Sequence, residues 1–184
     1  MSDFSIESFL TILSDSLKNI KQEYYRIETN GDKFGIPRER VFCYELYHQL
    51  RCEFDDDILR IHGELDKRGQ NDFQGKTRAI PDFLIHQPGT HRNNNIIIEV
   101  KGVLNKDDLI GDLQKIYSFI HDPTIHYENG IFLQYNYSFL DLKNYLSSRI
   151  NEIKKDQDKK IVIICSKKEG IVEIYTLAAL RVSL

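Results

Sequence analysis

The chain has 184 residues, of which 41% are hydrophobic and 29% are charged, and its formal net charge is −3. This length suits one domain around one hydrophobic core, and we predict a single domain over 1–184. No apolar run approaches the ~20 residues that cross a bilayer, which argues against a membrane-spanning helix, and the acidic balance argues against a coat of basic residues for nucleic acid. A local phosphate-binding patch stays compatible with that charge.

The cysteines and the first residues bear on the compartment. Cys43, Cys52 and Cys165 form an odd, scattered set with neither disulfide nor zinc spacing. The first four residues lack the basic-then-apolar layout of a secretory signal. We therefore expect free thiols and a cytoplasmic protein that does not contact a membrane.

The first predicted element is an amphipathic helix over 4–28, within an N-terminal segment of 1–30. Its apolar residues recur at alternating steps of four and three, as one helical stripe does. They are Ile6, Leu10, Leu13, Leu17, Ile20, Tyr24 and Ile27. This stripe either packs on the domain or forms the seam of a coiled-coil homodimer, and we favour packing on the domain because so short a seam is marginal. A turn cluster at 29–32 ends the helix.

A second helix is predicted over about 38–54. Phe42, Leu46 and Leu50 form its apolar stripe, and Glu45 lies about 60° from that stripe at ~100° per residue. A carboxylate in this position either reaches solvent or contributes to a metal site beside the core.

Residues 58–66 predict a strand with one apolar and one polar side. Glu64 and Asp66 lie on the polar side. Glu64 is the better candidate for an additional metal or water ligand, and the alternative is that this side of the strand is simply solvated.

The segment after this strand, 67–80, is a polar loop that contains glycine. It carries four basic residues: Lys67, Arg68, Lys76 and Arg78. Such residues bind a phosphate backbone when they lie beside a nucleic-acid site. A solvated surface loop is the alternative.

Two further predicted strands, 81–86 and 96–101, carry the residues around which the chain is organised. Side chains alternate across a strand, so Glu99 and Lys101 share one face, and Asp82 opens the preceding strand. If the strands pair as an antiparallel hairpin, these three side chains meet at one edge of an apolar sheet. Charges there are costly unless something binds them. The alternative is an exposed ion pair between Glu99 and Lys101.

Pro81-Asp82, followed on the next strand by Glu99-Val100-Lys101, resembles the signature of the PD-(D/E)XK nuclease superfamily. The likeness covers most of the chain beyond residue 38. It implies an α/β, restriction-endonuclease-like fold, in which a mixed central β-sheet is flanked by α-helices and the N-terminal amphipathic helix is added. The catalytic core would span 38–135, and 136–184 would form a C-terminal helix and β-hairpin.

The resemblance also implies a metal site. Mg²⁺, with Mn²⁺ as a substitute, would be held by Asp82, Glu99 and the Val100 carbonyl, with Glu64 and Glu45 as further acidic ligands. A divalent cation activates water and neutralises charge in phosphodiester hydrolysis, and Lys101 would orient the water or act as its base. We therefore predict a metal-dependent endonuclease that acts on DNA. The alternatives are a catalytically inactive nucleic-acid-binding module of the same fold and a structural or partner-binding protein.

The remainder of the chain alternates helices and strands. We predict a helix over 106–121, strands over 131–135, 161–165 and 171–177, and a helix over 138–155. Gln114 and Tyr117 lie on one flank of the first of these helices. They resemble a pair found in RecB-like members of the superfamily at a slightly longer spacing, which makes Gln114 a secondary site candidate.

Overall fold

The structure, a computed structural model, describes residues 4–54, 58–64, 80–89, 93–155 and 159–182, apart from the side chains at 32 and 33. Five helices are described: α1 (Ile6–Asn19), α2 (Gln22–Tyr25), α3 (Glu39–Glu53), α4 (Lys106–His121) and α5 (Phe139–Leu146). The strands are β1 (Ile27–Thr29), β2 (Asp32–Ile36), β3 (Arg60–Gly63), β4 (Phe83–His86), β5 (Asn94–Lys101), β6 (Asn129–Tyr135), β7 (Ile161–Lys168) and β8 (Ile171–Thr176). Short 3₁₀ turns occupy Ile150–Glu152 and Leu177–Leu180.

The central sheet has six strands in the order β3-β4-β5-β6-β7-β8. β3, β4 and β5 pair antiparallel, β5, β6 and β7 pair parallel, and β8 returns antiparallel. The parallel pairs need crossovers, and α4 and α5 supply them. The predicted mixed α/β architecture, with a sheet flanked by helices, is confirmed.

Two hydrophobic clusters cover the two faces of the sheet. On β5, Ile96, Ile98 and Val100 pack in the cluster that contains residues of α1 and α3. Ile97 packs in the other cluster, with residues of α4 and α5. By the alternation of a strand, Glu99 lies on the side of Ile97, toward α4. All but the last residue of β5 are buried, as expected for a strand inside a sheet.

The predicted N-terminal helix over 4–28 is wrong after Asn19. Ile20 is fully buried in an extended conformation and ends α1 by donating its N–H to the Leu17 carbonyl. The chain then forms the short α2 and a two-stranded hairpin, β1 and β2. The turn predicted at 29–32 is present, with Gly31 at φ 95°, but strands flank it on both sides. An Asn-Gly pair is a typical hairpin turn.

The apolar stripe of α1 packs on the domain, as the sequence favoured. Phe9, Leu13 and Leu17 are fully buried in one cluster with Phe42 and Leu46 of α3. A homodimer through this helix stays a prediction, and it would need residues outside this buried stripe.

The predicted helix over 138–155 is also too long. α5 ends at Leu146, and a 3₁₀ turn follows. Arg181 donates to the carbonyls of Ile150 and Ile153 at 2.9 and 2.8 Å, so a side chain from the C-terminal segment binds carbonyls at this turn. Among the described residues, no helix is both long and apolar enough to cross a membrane.

Candidate active site

The antiparallel pair β4 and β5 brings Asp82 to the end of β5. Phe83 pairs with Ile98, so in this antiparallel register Asp82, the residue before β4, lies beside Glu99 near the end of β5. The Val100 N–H donates a hydrogen bond of 2.7 Å to Asp82 Oδ2. This bond holds the Asp82 carboxylate against the strand that carries Glu99 and Lys101.

Glu99 is almost completely buried, with 1% of its surface exposed. Lys115 on α4 donates to its Oε2 at 2.7 Å. Its other oxygen, Oε1, is buried without a hydrogen-bond partner among the described residues. A buried carboxylate oxygen without a partner is costly, so this atom marks a place where a further ligand would be stabilising.

Lys101 is the last residue of β5 and lies between two helices. Its ammonium is 3.4 Å from Glu39 Oε1 at the start of α3 and 3.3 Å from Asp112 Oδ2 on α4. Asp112 also lies 3.3 Å from Lys115, so it contacts both lysines. Lys101 is therefore held at the end of β5 by Glu39 and Asp112, and it does not pair with Glu99.

Six residues form one charged cluster at the end of the interior strand β5: Glu39, Asp82, Glu99, Lys101, Asp112 and Lys115. Four carboxylates face two ammonium groups in a largely buried setting. Such an excess of buried negative charge is unusual without a bound cation or protons.

The pKa values reflect this excess. Burial raises the pKa of Asp82 to about 6, although the Val100 hydrogen bond opposes the change. Burial, followed by the charge of Asp82, raises the pKa of Glu99 well above its ordinary value. Burial lowers the pKa of Lys101, but the charges of Asp112 and Glu39 outweigh it and the net change is upward. The surrounding positive charge thus does not fully compensate the Asp82 and Glu99 carboxylates. Lys101 stays protonated.

The donor set fits a hard divalent cation. Asp82 and Glu99 supply carboxylate oxygens, which Mg²⁺ and Mn²⁺ prefer. The unpartnered Glu99 Oε1 is consistent with a ligand position, and the Val100 carbonyl stays a predicted third donor. With the side chains as they stand, no group of three His, Cys, Asp or Glu within the described ranges is arranged around a metal position.

Glu64 adjoins Asp82 through the backbone only. Its N–H donates to the Asp82 carbonyl at 3.0 Å, and it adopts a positive φ of 44°. Its carboxylate lies 3.2 Å from Arg40 and is half exposed. A metal-ligand role for Glu64 stays a prediction that would require this side chain to leave Arg40.

Glu45 and Gln114 lie apart from the cluster. The Glu45 carboxylate accepts from Gln49 at 2.6 Å and lies 3.4 Å from His48, both on its own helix. Gln114 is exposed on α4. The predicted phosphate-binding residues Lys67, Arg68, Lys76 and Arg78 lie outside the described residues, as does Asp66.

Sequence reasoning missed Glu39, Asp112 and Lys115. Asp112 carried a usable signal, because it is three residues after Leu109 and four before Ile116, within the stripe that packs on the sheet. Glu39 carried a weaker signal, as the first acidic residue of a helix.

A pocket of about 340 Å³ adjoins Asp82 on the side of α3. Its lining is rich in aromatic and polar side chains: Cys43, Tyr44, Tyr47, His62, Gly63, Glu64, Asp82 and Phe83. A larger pocket of about 660 Å³ lies at α2, β1 and Phe34, and its lining includes none of the cluster. The smaller pocket is the relevant one because its lining includes a residue of the cluster, Asp82.

Comparison of the chain with protein-family models, curated proteins and solved structures finds no match. The resemblance to PD-(D/E)XK nucleases therefore depends on the motif residues and on the order of the elements that carry them.

Proposed function

We propose that the protein is a metal-dependent nuclease of the restriction-endonuclease-like type that hydrolyses phosphodiester bonds of DNA. One observation carries the proposal. Asp82, Glu99 and Lys101 lie together at the end of β5, and the buried Glu99 has an oxygen without a partner among the described residues. A purely structural ion pair would not need the additional carboxylates around it.

The order of elements supports the same proposal. A helix that carries an acidic residue, α3, precedes the antiparallel strands β3, β4 and β5, and α4 then crosses to the parallel β6. This is the succession that the motif requires: a Glu-bearing helix, a strand meander, a helix and a further strand. Glu39, rather than Glu45, is the helix residue that reaches the cluster.

The chemistry follows from the positions of the side chains. Asp82 and Glu99 would hold the divalent cation together with the Val100 carbonyl. When bound, such a cation acts as a Lewis acid, activating water and neutralising charge on the phosphate. Glu39 and Asp112 hold the Lys101 ammonium at the same end of β5. Because Lys101 stays protonated, it would donate hydrogen bonds to the attacking water or a phosphate oxygen rather than accept a proton.

The proposal is tested with a substrate panel. Purified protein is incubated with supercoiled, linear, single-stranded and branched DNA and with RNA, in Mg²⁺, Mn²⁺ or EDTA. We expect cleavage of at least one DNA with a divalent cation and none in EDTA. Salt-sensitive binding without cleavage of any substrate would instead support the inactive binding module.

A further inference from the structure

Lys115 is the one residue whose ammonium contacts Glu99 within the described part of the chain. Its Nζ lies 2.7 Å from Glu99 Oε2 and 3.3 Å from Asp112 Oδ1. Asp112 is three residues earlier on α4, so the second contact stays within one helix. The Lys115 side chain is 21% exposed, whereas that of Glu99 is 2% exposed.

A carboxylate buried this deeply needs a compensating positive charge. In the described arrangement Lys115 supplies it, while Glu99 Oε1 stays without a partner. A divalent cation on Oε1 would place a second cation beside the Lys115 ammonium on one buried carboxylate, where the repulsion between the two is strong because little solvent screens it. The ammonium has an alternative position, because Asp112 already contacts it and its side chain reaches the surface.

We propose that Lys115 is the resident counter-ion of Glu99 and exchanges with the divalent cation, passing to Asp112 when the cation binds. This inference rests on the proposed function, since it assumes that Asp82 and Glu99 bind a divalent cation. The exchange keeps the buried carboxylate compensated in both states. It also leaves the Lys115 ammonium free of Glu99, near the end of β5, once the metal is present.

Competition of this kind is reciprocal, so Lys115 weakens metal binding by the same factor as the metal weakens the Lys115–Glu99 pair. Removing the ammonium should therefore strengthen metal binding. A role in which Lys115 only orients Glu99 for the metal has the opposite consequence, because loss of an outer partner weakens metal binding. The direction of the change separates the two roles.

The test is isothermal titration calorimetry of wild type and Lys115→Gln with Mn²⁺ and Mg²⁺, and thermal unfolding in EDTA and in saturating Mg²⁺. Coupling between competing sites is commonly worth ~5–150-fold. We expect Lys115→Gln to bind the cations about tenfold more tightly and to show a larger rise in Tm on adding Mg²⁺. Lys18→Gln is the matched control, because Lys18 pairs with Asp15 at the same spacing on the exposed face of α1. It should behave as wild type.

Equal or weaker binding by Lys115→Gln, in a wild type that binds the cation, contradicts the inference alone. A wild type that gives no binding with either cation contradicts the proposed function, and the inference with it. If Lys115→Gln is unfolded in EDTA, titrated Mg²⁺ should restore its circular dichroism signal, and no recovery contradicts the exchange.

Discussion

At the scale of single residues, Asp82 combines two opposing interactions. The Val100 N–H stabilises its charged form, while burial and the neighbouring Glu39 disfavour that form, and its pKa is about 6. An ordinary carboxyl has a pKa of about 3.9 in an unfolded chain. Between about pH 4 and pH 6, the folded protein therefore holds a proton on Asp82 that the unfolded chain has already lost.

This difference predicts a pH dependence for the metal-free protein. A raised carboxyl pKa contributes stability that is complete below about pH 4 and is lost as pH rises through about 6. Asp82→Asn has no carboxyl group at this position, so it does not lose this stability as the pH rises. Its amide oxygen can still accept the hydrogen bond from the Val100 N–H. In EDTA the variant should match wild type near pH 4 and exceed it by roughly 2 kcal/mol above pH 7, allowing for residual solvation. Urea unfolding across pH measures this. A wild type that is the more stable protein at high pH would refute the prediction.

Lys101 should affect the chemical step and not the metal. An ammonium is not a metal ligand, so Lys101→Ala should retain divalent-cation binding. It should slow single-turnover cleavage by ~10²-fold or more, as expected for a group that handles the attacking water. Lys106→Ala is a suitable control because Lys106, the first residue of α4, contacts Ser148 and lies outside the cluster. Loss of metal binding in Lys101→Ala would show that Lys101 has a structural role at the site.

At the scale of elements, α4 places Asp112 and Lys115 over the end of β5. The helix approaches β6 closely at Gly130, where an added Cβ would lie 2.1 Å from Ile116 Cγ2. Gly111, on the same helix, is exposed, and an added Cβ there would meet nothing within 4 Å. Substituting Gly130 therefore tests the packing of α4 on the sheet, whereas substituting Gly111 tests only the helix propensity of α4.

Gly130→Ala should push α4 away from the sheet and destabilise the protein by about 1–3 kcal/mol, as overpacked cores do. Gly111→Ala should stabilise it by up to about 1 kcal/mol, since alanine favours a helix over glycine. Denaturant unfolding of both variants measures the pair. Similar effects of the two substitutions would mean that the close approach at Gly130 does not hold α4 in place.

The elements also show what the sequence could and could not predict. The central strands and α4 were predictable because their apolar periods are strong and their ends carry turn or cap residues, such as Asn105. The N-terminal helix was overextended because Tyr24 and Ile27 happen to continue its stripe. Its end depends on the burial of Ile20, which is a tertiary effect.

The residues of the charged cluster likewise fall into those that the sequence could predict and those that it could not. The proximity of Asp82, Glu99 and Lys101 was predictable because Asp82 directly precedes β4, Glu99 and Lys101 end β5, and two consecutive apolar strands commonly pair as a hairpin. Glu39 was not, since Glu45 on the same helix was as plausible until the packing angle of α3 was known. Lys115 was hidden because its partner lies on another element, sixteen residues earlier in the chain.

At the scale of the whole molecule, the sheet separates two apolar clusters, and the charged cluster lies at the end of its interior strand β5. Residues of both clusters bury seven of the eight residues of β5, and its last residue, Lys101, contacts Glu39 of α3 and Asp112 of α4. A strand that is packed on both faces and ends in a charged cluster would suit the proposed catalysis, because groups fixed by packing need no reorganisation when a substrate binds.

The most direct test of this account is the cleavage rate of Asp82→Asn beside wild type, prepared identically and assayed in Mg²⁺ on a DNA that wild type cleaves. The substitution removes one negative charge from the proposed metal site and preserves shape. We predict a loss of at least ~10³-fold, together with loss of Mg²⁺ binding, as expected when a main contributor to transition-state stabilisation is removed. If Asp82→Asn cleaves as fast as wild type, the assignment of the active site is wrong.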